Sequence, residues 1–407
     1  MSAQGTFKQA PHKLLVIPGP IEVADDVLYA NAHPSMSHVS PDFIPVFGDC
    51  IRMIREVLFT QNAQPFLISG SGTLGWDQVA ANVIEPGEDA LVLNTGYFGD
   101  SFTDCLETYG ANVTQLKAPI GGTVPFDSLE SALKAKSYKL LTFTHVDTST
   151  GVLSDAARIA ETVRRVSPST LIVMDAVCSV ASEEIKFDEW GLDVVLTASQ
   201  KGLGTPPGLS VLVASERAIA SWVDRKKKGV REGSYYASWG KWLPIMKAYE
   251  SGSPAYFATP PVNLIYAFHA SLSLITAKAK SADGTPLPSL TERFALHRAA
   301  SQRIKSAATS LGFKQVPLQD KEAANGMTAL YFPTGVQASD LLPRLGKKGI
   351  IVAGGLLASI KDTYFRIGHM GVSVVNQDRG DVETVVKALS ESLDEIYEEK
   401  GIKKSDK

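Results

Sequence analysis

A chain of 407 residues exceeds what one hydrophobic core usually spans, so two domains are expected. With 44% hydrophobic and 20% charged residues the composition is that of an ordinary globular protein, and a formal net charge of −3 argues against a nucleic-acid surface. Three cysteines without metal-type spacing suit a reducing compartment and no disulfide framework, and no apolar run is long enough for a membrane span. Residues 1–13 hold two lysines and no arginine or apolar core, and the carboxyl end is not Ser-Lys-Leu. The expected location is the cytoplasm, with mitochondrion and peroxisome left open.

In chain order, Phe66-Leu67-Ile68 reads as a strand running into Ser69-Gly70-Ser71-Gly72-Thr73 and then a helical stretch through Asn82. Glycines let a backbone close on an anion, and a helix start offers unpaired N–H groups, so Ser71, Gly72 and Thr73 are candidates for a phosphate cradle. The segment lacks the Gly-Lys-Ser/Thr of a P-loop and the acidic residue of a dinucleotide fingerprint, which disfavours nucleotides. Apolar and amphipathic stretches then alternate: 90–93, 102–109, 113–116, 129–135, 140–144, 156–166 and 171–175. Such alternation predicts an α/β domain with a mostly parallel sheet covered by helices.

The run Leu171-Ile172-Val173-Met174 ends abruptly in Asp175, at the carboxyl end of an expected buried strand, where open α/β sheets bind ligands. A second apolar run, Val194-Val195-Leu196, leads into Thr197-Ala198-Ser199-Gln200-Lys201-Gly202. An amine held at a strand end among small residues is what Schiff-base chemistry with an aldehyde cofactor requires, and an acidic partner for a pyridinium nitrogen completes that chemistry. The basic run Arg225-Lys226-Lys227-Lys228 reads as a solvated loop. A polar stretch, 278–288, marks a boundary, so the reading is an amino-terminal arm over 1–15, a large domain over 16–277 and a small α+β domain over 278–407. In the last of these Arg366 sits in a short apolar strand, where a guanidinium fork suits a carboxylate ligand.

Together the cradle, Asp175-Ala176-Val177, Ser199-Gln200-Lys201-Gly202, His145-Val146-Asp147-Thr148-Ser149-Thr150-Gly151-Val152-Leu153 and Tyr364-Phe365-Arg366-Ile367-Gly368 resemble the class V aminotransferases. The likeness is to their alanine–glyoxylate and serine–pyruvate group, fungal branch, and runs from about Leu14 to about Leu393. It implies a fold type I pyridoxal-phosphate transferase with a seven-stranded sheet. Lys201 would carry the cofactor and act as general base, and Asp175 would face the ring nitrogen. Ser71, Gly72, Thr73 and Gln200 would take the phosphate and Thr148 the phenolic oxygen, with Phe98 and Val177 on the two ring faces. Many animal members carry histidine at the position of Thr73 and tryptophan at that of Phe98. Arg366 would hold the substrate carboxylate beside the Pro18-Gly19-Pro20 turn. Tyr256 and Thr259 would reach the phosphate of a neighbouring subunit, making the protein a homodimer with shared sites.

The activity so implied is transamination of L-alanine with glyoxylate to pyruvate and glycine by alternating half-reactions, with serine as an alternative donor. Cysteine desulfurases share the fold but need a cysteine on a later loop, and Cys50, Cys105 and Cys178 all precede Lys201. Phosphoserine and aminoethylphosphonate aminotransferases and a non-catalytic binding protein on this fold are the remaining alternatives.

Overall fold

The computed structural model describes residues 7–279 and 286–402. Counting the strands of its two larger sheets in chain order, the first sheet holds β1 (Gln64–Ser69), β2 (Asp89–Asn94), β3 (Asn112–Lys117), β4 (Leu140–Thr144), β5 (Leu171–Asp175), β6 (Val194–Ala198) and β7 (Leu209–Ala214). Their spatial order is β1-β7-β6-β5-β4-β2-β3. β4, β5 and β6 are buried at every residue, which is why they read as unbroken apolar runs. Neighbours are parallel except around β7, which is antiparallel to both β6 and β1. Chain length explains the exception: residues 199–208 are fewer than the dozen or so that a parallel crossover needs. The expected α/β fold with a mostly parallel seven-stranded sheet is therefore present.

This register brings Asn94, Thr144, Asp175 and Ala198 to one rim, and the pairings Ser69 with Leu209 and Ala198 with Ser210 bring Ser69 there too. Helices cover the sheet for reasons visible in sequence. In Ala156–Val166, Asp155 caps the helix by accepting from the Arg158 N–H, and Ile159, Ala160 and Val163 turn one apolar face to the core. The helix expected over 102–109 starts earlier, at Tyr97, because Phe98 extends the same three-to-four-residue spacing back from Phe102.

The basic run is not a solvated loop. Arg225 is buried near the end of the helix Glu216–Lys227 and donates to the carbonyls of Ala81 and Ile84 at 2.8 and 3.0 Å. It thereby satisfies the last carbonyls of the helix Thr73–Val83. A string of like charges gives no sign that one member turns inward.

The second sheet comprises β8 (Lys314–Gln315), β9 (Met327–Tyr331), β10 (Ala353–Gly354) and β11 (Tyr364–Gly368), in the order β8-β9-β11-β10. It packs against the helices Leu290–Ser310 and Asp381–Lys400 around Ile304, Leu330, Phe365 and Leu393. The amino-terminal segment belongs physically to this core. Leu14 and Leu15 pair in parallel with Ile350 and Ile351, and Val16 is buried in the same cluster. A third cluster, including Ile21, Val146, Cys178, Met327 and Tyr364, joins the two cores beside the sheet rim.

Candidate active site

At the rim, a cavity of about 190 Å³ is lined by Ser71, Gly72, Thr73, Trp76, Phe98, Thr144, Val146, Thr148, Asp175, Val177, Cys178, Gln200 and Lys201. Residues expected from four separate segments thus meet in one place. The loop Gly70-Ser71-Gly72 lies between β1 and the helix Thr73–Val83. Its N–H groups at Gly72 and Thr73 find no acceptor among the described residues, since the first turn uses only those of Leu74 and Gly75. Those free donors at a helix start form an anion site. Only glycine fits at 72, because a Cβ there would lie 2.9 Å from Val177 Cγ2.

Asp175 is buried at the end of β5 and is held by two donors: Trp76 Nε1 to one oxygen at 2.8 Å and the Val177 N–H to the other at 3.0 Å. Burial pushes its pKa up to about 6, and these two hydrogen bonds pull the other way. No basic side chain pairs with it among the described residues, so it lacks the cation that would offset its desolvation. Trp76 was not singled out in the sequence as a partner of Asp175. Its only sequence signal is its place one turn into the helix after the glycine loop.

Lys201 is also buried, and its Nζ lies 3.5 Å from Thr148 Oγ1, a long contact that leaves the amine free to react. Burial is the main cause pushing its pKa down, aided by the Arg366 charge and opposed by Cys178, Asp175 and Asp147. Arg366 reaches the same residue from β11: its Nη1 donates to Thr148 O at 3.1 Å and its Nε to Gly354 O at 2.9 Å. It is half-buried and in no ion pair among the described residues, so its fork is open to an anion.

The turn carrying Thr148 is fixed by a residue to which the sequence reading assigned no role. Asp147 is fully buried, and its Oδ1 accepts from the Ser149 N–H at 2.9 Å and the Ser149 hydroxyl at 2.5 Å. Ser149 in turn accepts from the Tyr97 N–H through its hydroxyl and from the Tyr364 hydroxyl through its carbonyl. Phe98, Thr148 and Arg366 are therefore tied together through one turn.

Phe98 and Val177 both line the cavity, and Phe98 meets Trp76 edge-on at 6.3 Å. The Gln200 Oε1 is buried without a hydrogen-bond partner among the described residues. Gly19 also lies at the site: a Cβ on it would stand 2.3 Å from Lys201 Cδ and 2.6 Å from Cε. Gly19→Ala is accordingly expected to lower kcat by about 10- to 100-fold, because displacing a reacting group by about 1 Å can cost that much; unchanged steady-state kinetics would contradict this close approach. Tyr256 and Thr259 do not line the cavity, and Tyr256 is 64% exposed, next to the His38 ring.

The arrangement fits pyridoxal phosphate. N–H groups without an acceptor at the helix start, a buried carboxylate with no cation paired to it and a buried amine share this one cavity among the described residues.

The family model for Aminotransferase class-V matches residues 24–374. Alanine–glyoxylate aminotransferase 1 of Saccharomyces cerevisiae is 41% identical, over 89% of this chain and 93% of that protein. Serine–glyoxylate aminotransferase of Arabidopsis thaliana is 25% identical, over 88% and 85%. Among solved structures, the alanine–glyoxylate aminotransferase of Nostoc sp. superposes with a TM-score of 0.84 at 26% identity, covering 97% of this chain and 98% of that one. The chain belongs to the class-V aminotransferases, and its cofactor is pyridoxal phosphate.

Proposed function

We propose that this protein transfers the amino group of L-alanine to glyoxylate, giving pyruvate and glycine in alternating half-reactions. The observation that carries the reading is the meeting of two basic groups on Thr148, the buried Lys201 amine and the Arg366 guanidinium, which is in no ion pair among the described residues, with the buried Asp175 carboxylate lining the same cavity as Lys201. The activity for which the 41% identical yeast relative is named supports alanine as donor, and that for which the plant relative is named supports serine as a second donor.

The bound cofactor supplies an electron sink that makes the α-proton of an amino acid acidic. Gly72, Thr73 and Gln200, with Ser71, would hold its phosphate, and Thr148 its phenolic oxygen. Phe98 and Val177 would bracket the ring, and Asp175 would keep the ring nitrogen protonated. Arg366 binds the carboxylate common to amino donor and oxo-acid acceptor, which fixes the α-carbon near Lys201. Lys201, its ammonium destabilised by burial, takes the α-proton as a neutral amine and returns it to the other carbon of the exchange.

The test is the visible spectrum of the purified protein. A yellow band that L-alanine bleaches and glyoxylate restores is the expected result. A band indifferent to alanine but bleached by serine transfers the donor role to serine, and no band after added pyridoxal phosphate overturns the reading.

The same reading makes Arg366 the carboxylate anchor. Arg366→Ala should raise KM for alanine and for glyoxylate by about 100-fold, since two charge-assisted hydrogen bonds are worth roughly 3 kcal/mol. Arg366→Lys should recover only part of this, because an ammonium cannot make the paired contact. A KM unchanged in both variants would remove the anchor role.

We assign Tyr256 and Thr259 to the site of a second copy, making the active unit a homodimer; their position outside their own cavity supports this. Sedimentation should give a dimer, and Tyr256→Phe should weaken cofactor binding by about 10-fold, the worth of one charge-assisted hydrogen bond. A catalytically active monomer would contradict it.

A further inference from the structure

The helix Leu290–Ser310 buries a guanidinium that touches none of the residues lining the cavity through its hydrogen bonds. Arg293 is 6% exposed and pairs with no carboxylate among the described residues. Burial brings its pKa down to about 10, so it remains a cation at neutral pH. Retaining an uncompensated cation in the interior is unfavourable unless its hydrogen bonds do something an apolar side chain cannot.

Those bonds go to two backbone carbonyls at the active site. Nε donates to Ala181 O at 3.0 Å and Nη2 to Gly202 O at 3.2 Å. Gly202 follows Lys201, and Ala181 lies on the loop that leaves Asp175. The loops press together, because a Cβ at Gly202 would stand 2.2 Å from Val180 O. One turn further along the helix, His297 Nδ1 donates to Arg293 O at 2.8 Å and Nε2 accepts from the Gly371 N–H at 3.1 Å. Burial keeps this imidazole neutral, its pKa pushed down to about 3, as both bonds require. Gly371 comes shortly after β11, the strand of Arg366. The helix start is itself locked by a capping box between Ser289 and Glu292.

One helix thus grips the chain just past Lys201 through Arg293 and just past Arg366 through His297. We propose that Arg293 is a positioning residue that fixes the distance between the Lys201 amine and the Arg366 carboxylate anchor. The inference rests on the aminotransferase reading of those two residues. A planar fork reaching two carbonyls at once explains why arginine, rather than lysine or an apolar residue, occupies the position.

The test uses the holoenzyme with Arg293→Ala and Arg293→Lys. For the alanine variant kcat should fall by about 10- to 100-fold and KM for alanine should rise. Millimolar guanidinium should restore kcat saturably, while sodium chloride at equal ionic strength should not. The lysine variant should remain impaired. The pH at which the bound cofactor's visible band changes should differ from that of the wild type and return toward it with guanidinium, a readout independent of turnover. Should the alanine variant fail to fold, Arg293→Gln gives the same readouts. A variant that melts earlier but keeps wild-type kcat, KM and band titration would overturn the positioning role, as would a loss that guanidinium does not reverse. A wild-type enzyme inert to every amino acid would instead strike the aminotransferase reading, leaving the guanidinium effect on the band to judge Arg293 separately.

Discussion

Lys201→Ala should lower kcat for alanine–glyoxylate exchange by about 10⁴-fold, the upper range for a residue that moves protons in the transition state. The structure says why no neighbour can substitute. Among the groups lining the cavity Lys201 is the sole amine, and the nearest hydroxyl, Thr148 Oγ1, accepts from it rather than competing with it. Burial disfavours the ammonium form of Lys201 and so favours the neutral amine more than in a solvated lysine. The variant should still bind pyridoxal phosphate through the glycine loop, with weaker affinity, so loss of turnover and loss of cofactor separate experimentally. Single-turnover measurement with alanine on cofactor-saturated variant checks this. A rate within tenfold of wild type would mean that another group takes the α-proton.

The reach of sequence reasoning differed between these residues for a physical reason. Asp175 and Lys201 stood out because β5 and β6 are buried on both faces, so a polar group at the end of an unbroken apolar run is conspicuous. The glycine loop was visible because strand, glycines and helix are contiguous. What escaped were partners set by sheet order. Trp76 donates to Asp175 from 99 residues away, and that contact exists only because β1 and β5 both end on one rim of the same sheet. Asp147 lay inside a recognised segment, yet only packing against Gly96 and Tyr97 reveals it as the anchor of the Thr148 turn. Arg225 and Arg293 escaped for a related reason: a cation on a helix gives no sequence sign of which carbonyls its fork will meet.

Asp175→Asn should lower kcat by about 10²- to 10³-fold, the usual effect of removing one preorganised charge partner. It should also change the pH dependence of stability in the cofactor-free protein. The native pKa of Asp175, about 6, lies above the value of about 3.9 in an unfolded chain, so the native state binds this proton more tightly. The resulting stabilisation is complete below pH 4 and is lost as pH rises through 6, a swing of about 3 kcal/mol. Asparagine does not titrate, so its melting temperature relative to wild type should climb between pH 4 and pH 6 and then level off. A constant offset is expected underneath, because an amide has one acceptor oxygen for the two donors, Trp76 and Val177. Adding pyridoxal phosphate should reverse the climb: a protonated ring nitrogen beside the carboxylate stabilises wild type above pH 6 and does nothing comparable for the amide. Melting curves from pH 4 to pH 8, with and without cofactor, decide the matter. Parallel curves for wild type and variant would show that Asp175 titrates far from this window and that its burial is not held in reserve for the cofactor.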